Sequence, residues 1–560
     1  MKKFKLAQTT NPFPGLRPFD ESEQHLFFGR ESQIDAMVDK LAANRFLAVV
    51  GSSGSGKSSL VNCGLRPALH TGLMASAGTA WRMAQCRPGG DPITALSNAL
   101  AVEGVLFNDY QDMGMSLPEI VDTTLRMGNL GLIDIVEQAQ LPAGTNLLLV
   151  IDQFEELFRY RHLDKHGENK ISEVSQQAVA FVNLLLAAIA QSDLPVYIVI
   201  TMRSDFLGDC AQFTGLAEAI NSGQYLVPRM TREQRRAAIT GPIGVGGAKI
   251  YPALLTRLVN DVGTNPDQLS ILQHALNRTW SYWENERGRQ GMLDIECYDS
   301  IGSMTRALDQ HANKAFAELG SSDKERICKT LFKALTDKAN DARGVRRPTR
   351  LGTLCEMCGA THADVVSVID VFRKPSRSFL MPPAGVELHP DTVIDISHES
   401  LMRVWKKLDQ WADQEADSAR MYQRLAETSA LYQQQNAGLL RDPDLRVALK
   451  WREQNKPNDI WASQYNSDFD GAMAFLKQSE KSELKRKRLR VGSIAAVVLS
   501  VPGYLAYTSY NLSATNAELT TQNKVAEQEK KVALDELDEA EQEAIVALNE
   551  AEQALSLIHI

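Results

Sequence analysis

The feature that most constrains this chain is the run Gly51-Ser-Ser-Gly-Ser-Gly56-Lys57-Ser58, a complete GxxxxGKS loop. It directly follows the wholly apolar Phe46-Leu-Ala-Val-Val50 and precedes a helical stretch. A short uninterrupted apolar strand is what a parallel sheet covered on both faces requires. A glycine-rich turn from such a strand into a helix lets backbone N–H groups and the helix N-terminus wrap phosphate oxygens closely. Gly51, Ser52, Ser53, Gly54, Ser55, Gly56, Lys57, Ser58 and the adjacent Ser59 are therefore expected to bind a nucleotide polyphosphate. In that arrangement Lys57 reaches the β and γ phosphates, and the Ser58 hydroxyl serves as a Mg²⁺ ligand.

Such a loop needs an acidic partner on another strand, and Leu147-Leu-Leu-Val-Ile-Asp152-Gln-Phe-Glu155-Glu156 supplies one. Asp152 is expected in the Mg²⁺ shell. Glu156 is the first choice for the carboxylate that polarises the attacking water, with Glu155 second. A third apolar run, Val196 to Thr201, ends in Met202-Arg203-Ser204-Asp205. Arg203 is then expected to sense the γ phosphate, for which a bidentate guanidinium is suited; a simple pair with Asp205 is the structural alternative. GTP is disfavoured as the substrate: Asn455-Lys-Pro-Asn458 has Asn where a guanine-reading NKxD motif needs Asp, and lies far from the sheet region. No LSGGQ-type signature of transport ATPases precedes the acidic strand. ATP with Mg²⁺ is the expected cofactor set.

Strand and helix alternate as far as residue 225, the pattern of an open α/β sheet. Residues 226–290 have helical periodicity carried by Leu254, Leu258, Leu269, Leu272 and Leu276. Residues 291–400 mix helices with the β-like Phe379-Leu-Met and Val393-Ile-Asp-Ile, and 401–480 are again helical. The segment Asn11 to Glu31, rich in Pro, Gly and Phe, is expected to pack irregularly on a domain edge. At 560 residues several cores are expected.

The formal charge of −9 is concentrated late, since residues 511–556 alone hold eleven Asp and Glu against three Lys. The remainder is nearly neutral, so bulk charge gives no argument for nucleic acid. Seven dispersed cysteines suit a reducing compartment, and the Cys355/Cys358 pair has no second ligand pair at zinc spacing. The polar lead after Met1 lacks the apolar stretch of a signal peptide.

Six basic residues, Lys481, Lys485, Arg486, Lys487, Arg488 and Arg490, precede the uncharged Val491 to Tyr510. That combination predicts a transmembrane helix over 491–510, with residues 1–490 on the cytoplasmic side by the positive-inside rule and hence a single-pass inner-membrane protein. Residues 511–560 are expected to form an acidic helical tail with a weak heptad, ending in mid-helix without a cap, as in a longer natural protein or a gene prediction with an artefactual end.

Together the motifs resemble the STAND class of signalling ATPases, in particular the bacterial type usually fused to WD-repeat propellers. The resemblance rests, in order, on Asn11-Pro-Phe-Pro-Gly-Leu-Arg-Pro-Phe19, Phe27-Phe-Gly-Arg30, the P-loop, Asp152-Gln-Phe-Glu-Glu156, Thr201-Met-Arg203, Gly241-Pro242, Leu272-Gln-His-Ala-Leu276 and His398-Glu-Ser-Leu401. It implies a P-loop nucleotide-binding domain over 11–225, a helical domain over 226–290 and a winged helix over 291–400, closed over ADP at rest and opened on exchange for ATP, with oligomerisation on activation. It further implies that Phe28, Gly29 and Arg30 lie along the nucleotide, that Pro242 packs on the base, and that His398 approaches the β phosphate of ADP. The plainer alternative for His398, followed as it is by Glu399, is a helix cap. A second function, an ATP-regulated DNA-binding regulator, would use Arg343, Arg346, Arg347 and Arg350 on the winged helix to contact phosphates.

Overall fold

The computed structural model describes residues 11–108, 110, 114–159, 173–263, 268–339, 344–466, 468–515 and 523–556. The chain divides into two compact units, Met1–Asn436 with Ala448–Ala472, and Ala437–Val447 with Met473–Ile560.

The first unit is organised by a five-stranded parallel sheet made of β1 (Phe46–Gly51), β2 (Trp81–Cys86), β3 (Asn146–Ile151), β4 (Val196–Arg203) and β5 (Gln224–Leu226), in the order β2-β3-β4-β1-β5. The three apolar runs are its central strands. Alternate residues of each strand enter opposite cores: Ala48, Leu149 and Ile198 pack in one, while Val49, Leu148 and Val199 pack in the other. That two-sided burial is why these strands show no alternation of polar and apolar residues.

Three further packing groups complete the unit. Ile239, Leu254, Leu258, Leu272, Leu276 and Trp280 form the helical core. A three-stranded sheet, with Val393–Ile396 antiparallel to both Thr349–Arg350 and Leu380–Met381, packs with helices Ser322–Ala334 and His362–Arg373 in a winged-helix-like arrangement. The long helix Lys406–Gln433 carries Ala412, Ala419, Tyr422 and Leu425 inward. The N-terminal segment does more than cover one edge. Phe13 enters the helical core and Leu16 the winged-helix core, and Asn277 Nδ2 donates to the Phe13 carbonyl at 2.5 Å, so this short stretch ties two groups together.

The second unit is dominated by the helices Phe469–Thr515 and Asn523–Ser556. The expected transmembrane helix is corrected here. Residues 491–510 are helical, but among the described residues no helix is long and apolar enough to cross a membrane. The physical reason lies in the sequence: Gly492, Ser493, Ser500, Pro502 and Gly503 interrupt the apolar residues, and three tyrosines dilute them. Val491, Val498, Val501, Tyr504 and Tyr507 are nonetheless exposed.

Candidate nucleotide site

The P-loop leaves the end of β1 with Gly54 at φ 72° and Gly56 at φ 87°. This left-handed backbone is open to glycine without strain, and it turns the chain into a continuous helical run over residues 57–70. Lys57 folds back over the loop, its Nζ donating to the Gly51 and Ser52 carbonyls at 3.0 and 2.9 Å. Burial lowers its pKa, against the opposing pull of Glu155, Asp152 and Glu399. A phosphate chain arriving here would relieve that cost by placing anions beside the ammonium.

Asp152 stands just past β3, where it accepts from Ser58 Oγ at 2.8 Å and from Thr201 Oγ1 at 2.7 Å. Burial would raise its carboxyl, but the Arg87 guanidinium 3.5 Å away and the two hydroxyl donors hold it below the usual carboxylate range. A carboxylate in direct contact with a serine hydroxyl is an all-oxygen donor pair of the kind Mg²⁺ prefers. The residues present therefore fit the metal.

The two glutamates that follow point in different directions. Gln153 adopts φ 58° as the chain turns out of β3. After this turn Glu155 lines the cleft and accepts from the Arg203 backbone N–H at 3.3 Å. Glu156 opens a short helix and accepts from the Gly89 N–H at 3.0 Å, on the side of the chain that follows β2. Among the described residues that line the cleft Glu155 is present and Glu156 is not. Glu155, the second choice from sequence, is therefore the glutamate brought to the cleft: adjacent residues in a tight turn face different ways, and motif spacing does not say which one faces it.

Arg203 ends β4 in register with Gly51 of β1, which brings it to the P-loop. Its Nη2 donates to Asp205 at 2.6 Å, so the structural pairing weighed from sequence is present, but Nη1 donates to Glu399 at 3.2 Å. Its buried Nε has no hydrogen-bond partner among the described residues. The residue lines the same cleft as the phosphate-binding loop, where an anionic ligand would meet its guanidinium.

The opposite wall comes from other segments. Phe28 lies flat against Gly241, where a Cβ would come within 2.4 Å of the ring. Gly29, at φ 83°, packs against the Gln234 carbonyl. Arg30 is buried and donates to the carbonyls of Pro228 at 2.8 Å and Ser55 at 3.1 Å, which ties the P-loop to the segment after β5. Pro242 is buried within the helix Arg232–Val245 and is absent from the described cleft lining, where Met230, Arg235, Ala238 and Leu269 stand instead. His398 lines the cleft, and its Nδ1 accepts the Ser400 N–H at 3.1 Å. Burial lowers its pKa to about 4. The ring is thus neutral and carries its proton on Nε2, available as a donor.

With this geometry in place, the model of the family described as Novel STAND NTPase 1 matches residues 12–438. The chain belongs to that family. It is accordingly a P-loop ATPase of the STAND class, with a nucleotide-dependent switch as its general role. No curated protein matches it. Similar solved structures include the Aeropyrum pernix ORC2 protein in its ADPNP-ADP complexes, at 11% identity over 69% of this chain and 93% of that one, with a TM-score of 0.37. Another is CDC6P from Pyrobaculum aerophilum, at 13% identity over 69% and 94%, with a TM-score of 0.29. Likeness at this level says nothing of what this STAND ATPase does.

Three residues of the STAND site were not singled out for it from sequence: Arg87, Arg346 and Glu399 all line the cleft. Arg346 is buried and donates to Asp395 Oδ2 at 2.6 Å, to the Ile396 carbonyl at 2.9 Å and to Gln153 Oε1 at 2.7 Å. Arg347 pairs with Asp337 at 2.8 Å, and Arg350, 69% exposed, lies 3.5 Å from Asp391; Arg343 falls outside the described residues. The arginine cluster considered for DNA is therefore largely spent inside the protein, because two of its members satisfy buried carboxylates and amides. Glu399 precedes the helix Ser400–Val404 yet makes no side-chain cap bond among the described residues. Its carboxylate accepts instead from Ser53 Oγ at 2.5 Å and from Arg203. The only signal that could have found it was the acid itself, beside a histidine of the family motif.

Proposed function

We propose that this STAND ATPase is a switch closed with ADP and opened by exchange for ATP, with slow hydrolysis returning it to rest. The observation that carries this reading is that His398 and Glu399 of the winged-helix segment line the same cleft as the P-loop, so whatever fills the cleft bears on whether that segment stays docked. Lys57 and the loop amides hold the phosphates. Ser58 and Asp152 would hold Mg²⁺, which would neutralise charge developing on the phosphates during transfer. Glu155 orients the attacking water as general base, and Arg203 meets the terminal phosphate. Phe28 on its glycine floor offers a flat apolar face to the adenine, and neutral His398 donates Nε2–H to a diphosphate.

The closed state should bind ADP, and the open one should oligomerise. Calorimetry on the full chain should show ATP and ADP binding well ahead of GTP, and size-exclusion with light scattering should show a larger species with a non-hydrolysable triphosphate than with ADP. Equal affinity for GTP and ATP would sink the adenine assignment, and identical mass in both states would sink the switch.

Attachment to an inner membrane, with the ATPase on the cytoplasmic side, is supported by the six basic residues of 481–490 beside exposed apolar side chains of 491–507. Fractionation and carbonate extraction, compared with a chain truncated after Glu480, tests it. Identical solubility of the two rejects the membrane.

A further inference from the structure

Asp152 divides its carboxylate between two kinds of partner. One oxygen, Oδ1, accepts both hydroxyls, from Ser58 at 2.8 Å and from Thr201 at 2.7 Å, while Oδ2 stands 3.5 Å from Nε of Arg87. The sheet itself places the arginine there. Cys86 of β2 is in register with Ile151 of β3, and the Asp152 N–H donates to the Cys86 carbonyl at 2.9 Å, so Arg87 and Asp152 leave neighbouring strands side by side. Nη1 of the same guanidinium stands 3.7 Å from Oδ2 of Asp395, on the winged-helix-like strand Val393–Ile396. Both separations exceed the roughly 2.7–2.9 Å of a charge-assisted hydrogen bond. Arg87 is thus shared by two carboxylates and tightly bonded to neither. Its side chain is 39% exposed, against 3% and 6% for Asp152 and Asp395.

We infer that Arg87 is a positioning residue for magnesium, a tethered cation that competes with the ion for Asp152 and is drawn off by Asp395. The magnesium demand of nucleotide binding is then set in part by a carboxylate of the winged-helix-like part. This rests on the reading of Ser58 and Asp152 as the metal pair and adds the residues that tune it. A carboxylate as buried as Asp152 needs a positive charge close by while it holds no ion, and Arg87 supplies one. Once Asp152 holds a divalent ion, the guanidinium faces like charge across the same oxygen. Asp395 offers it a place to go. Its Oδ2 already accepts from Arg346 at 2.6 Å, but its buried Oδ1 has no hydrogen-bond partner among the described residues. A guanidinium leaving Asp152 can donate to that oxygen, which turns an unsatisfied buried acceptor into a charge-assisted hydrogen bond. Both carboxylates are already beside the guanidinium, so the exchange needs a rotation of the long arginine side chain and no movement of either strand.

The test uses the full chain and a fluorescent derivative of the non-hydrolysable triphosphate ADPNP, whose binding is titrated with Mg²⁺. Arg87→Gln removes the competing cation and should lower the magnesium midpoint about three- to fivefold, the upper range for a partly exposed ion pair. Arg87→Lys keeps the charge and should stay within about twofold of wild type. Asp395→Asn keeps shape but removes the charge that draws the arginine off, and should raise the midpoint by a factor similar to the first. The deciding arm is the double variant: in the Arg87→Gln background Asp395→Asn should leave the midpoint where Arg87→Gln alone puts it. An Asp395 effect that persists there is through-space charge and overturns the proposal, as does a midpoint that Arg87→Gln leaves unmoved or raises. Should Asp395→Asn fail to fold, the Gln and Lys variants of Arg87 decide between themselves, because a merely structural role would not follow the charge. The wild-type titration separates this inference from the metal reading beneath it. Nucleotide binding that ignores Mg²⁺ removes both, whereas a clear wild-type midpoint that the variants do not move removes the role of Arg87 alone.

Discussion

The two walls of the nucleotide cleft are built from different materials. The wall formed by residues 51–59 is mainly backbone: glycines at positive φ and a single lysine folded over the loop onto its carbonyls. The wall formed by His398, Glu399 and Arg346 is made of side-chain charge and a neutral imidazole, with Glu399 reaching Ser53 from 346 residues further along the chain. Fixed amide dipoles bind a phosphate chain without asking how long it is. Charged side chains, held only while their counter-charges favour them, can be exchanged for the charges of a ligand. In the proposed switch the first wall would supply affinity and the second discrimination.

The sharpest attempt to break that division removes the one charge of the backbone wall. Lys57→Ala should weaken ATP by about 100-fold or more, the scale on which buried, hydrogen-bonded charge partners are lost. Calorimetry that finds ATP affinity intact would show that the loop amides suffice. Next in size is the chemical step. Glu155→Gln should lower the hydrolysis rate by about 10²–10⁴-fold with ATP affinity retained, whereas Glu156→Gln, whose carbonyl can still accept the Gly89 N–H, should turn over near the wild-type rate. The reverse ranking in a phosphate-release assay would return the base to Glu156.

On the discriminating wall, His398→Ala should lower the affinity for ADP relative to ADPNP by about two- to tenfold, the worth of one neutral hydrogen bond. A competition assay giving an unchanged ratio would leave the imidazole a packing residue. The smallest effect is on stability against pH. The Glu399 carboxyl is depressed to about 2 when folded. Its contribution is therefore complete above the ordinary carboxyl pKa of about 4.3 and is lost as pH falls from there towards 2. His398, lowered to about 4 by burial, contributes above its ordinary value near 6.5 and loses that contribution as pH falls from there to 4. Melting temperatures should fall by a few degrees through each window. Glu399→Gln should flatten only the lower one and His398→Ala only the upper; a variant that flattens the other window, or neither, would show that a different group titrates there.

Much of this was legible in residue order. The P-loop, the acidic strand ending at Asp152 and the arginine at the end of β4 were read from apolar runs and punctuation, because a strand buried on both faces leaves a run that few other elements imitate. The β-like pieces at 379–381 and 393–396 were visible for the same reason. The membrane span is one reading that the described residues do not support, since a basic run beside an uncharged one does not guarantee enough apolar length.

Sequence by itself determined the apolar strands, the phosphate loop and the residue types at Ser58 and Asp152, because each of these is local, a few residues whose backbone conformation and side-chain chemistry are set by their immediate neighbours. Tertiary structure alone decided which of Glu155 and Glu156 faces the cleft, that Pro242 stays inside its helix while Phe28 lies on Gly241, and that Glu399 and Arg346 reach the nucleotide side at all. Those outcomes depend on rotation about one turn or on contacts between residues hundreds of positions apart. No periodicity along the chain encodes the direction in which a side chain meets a distant partner.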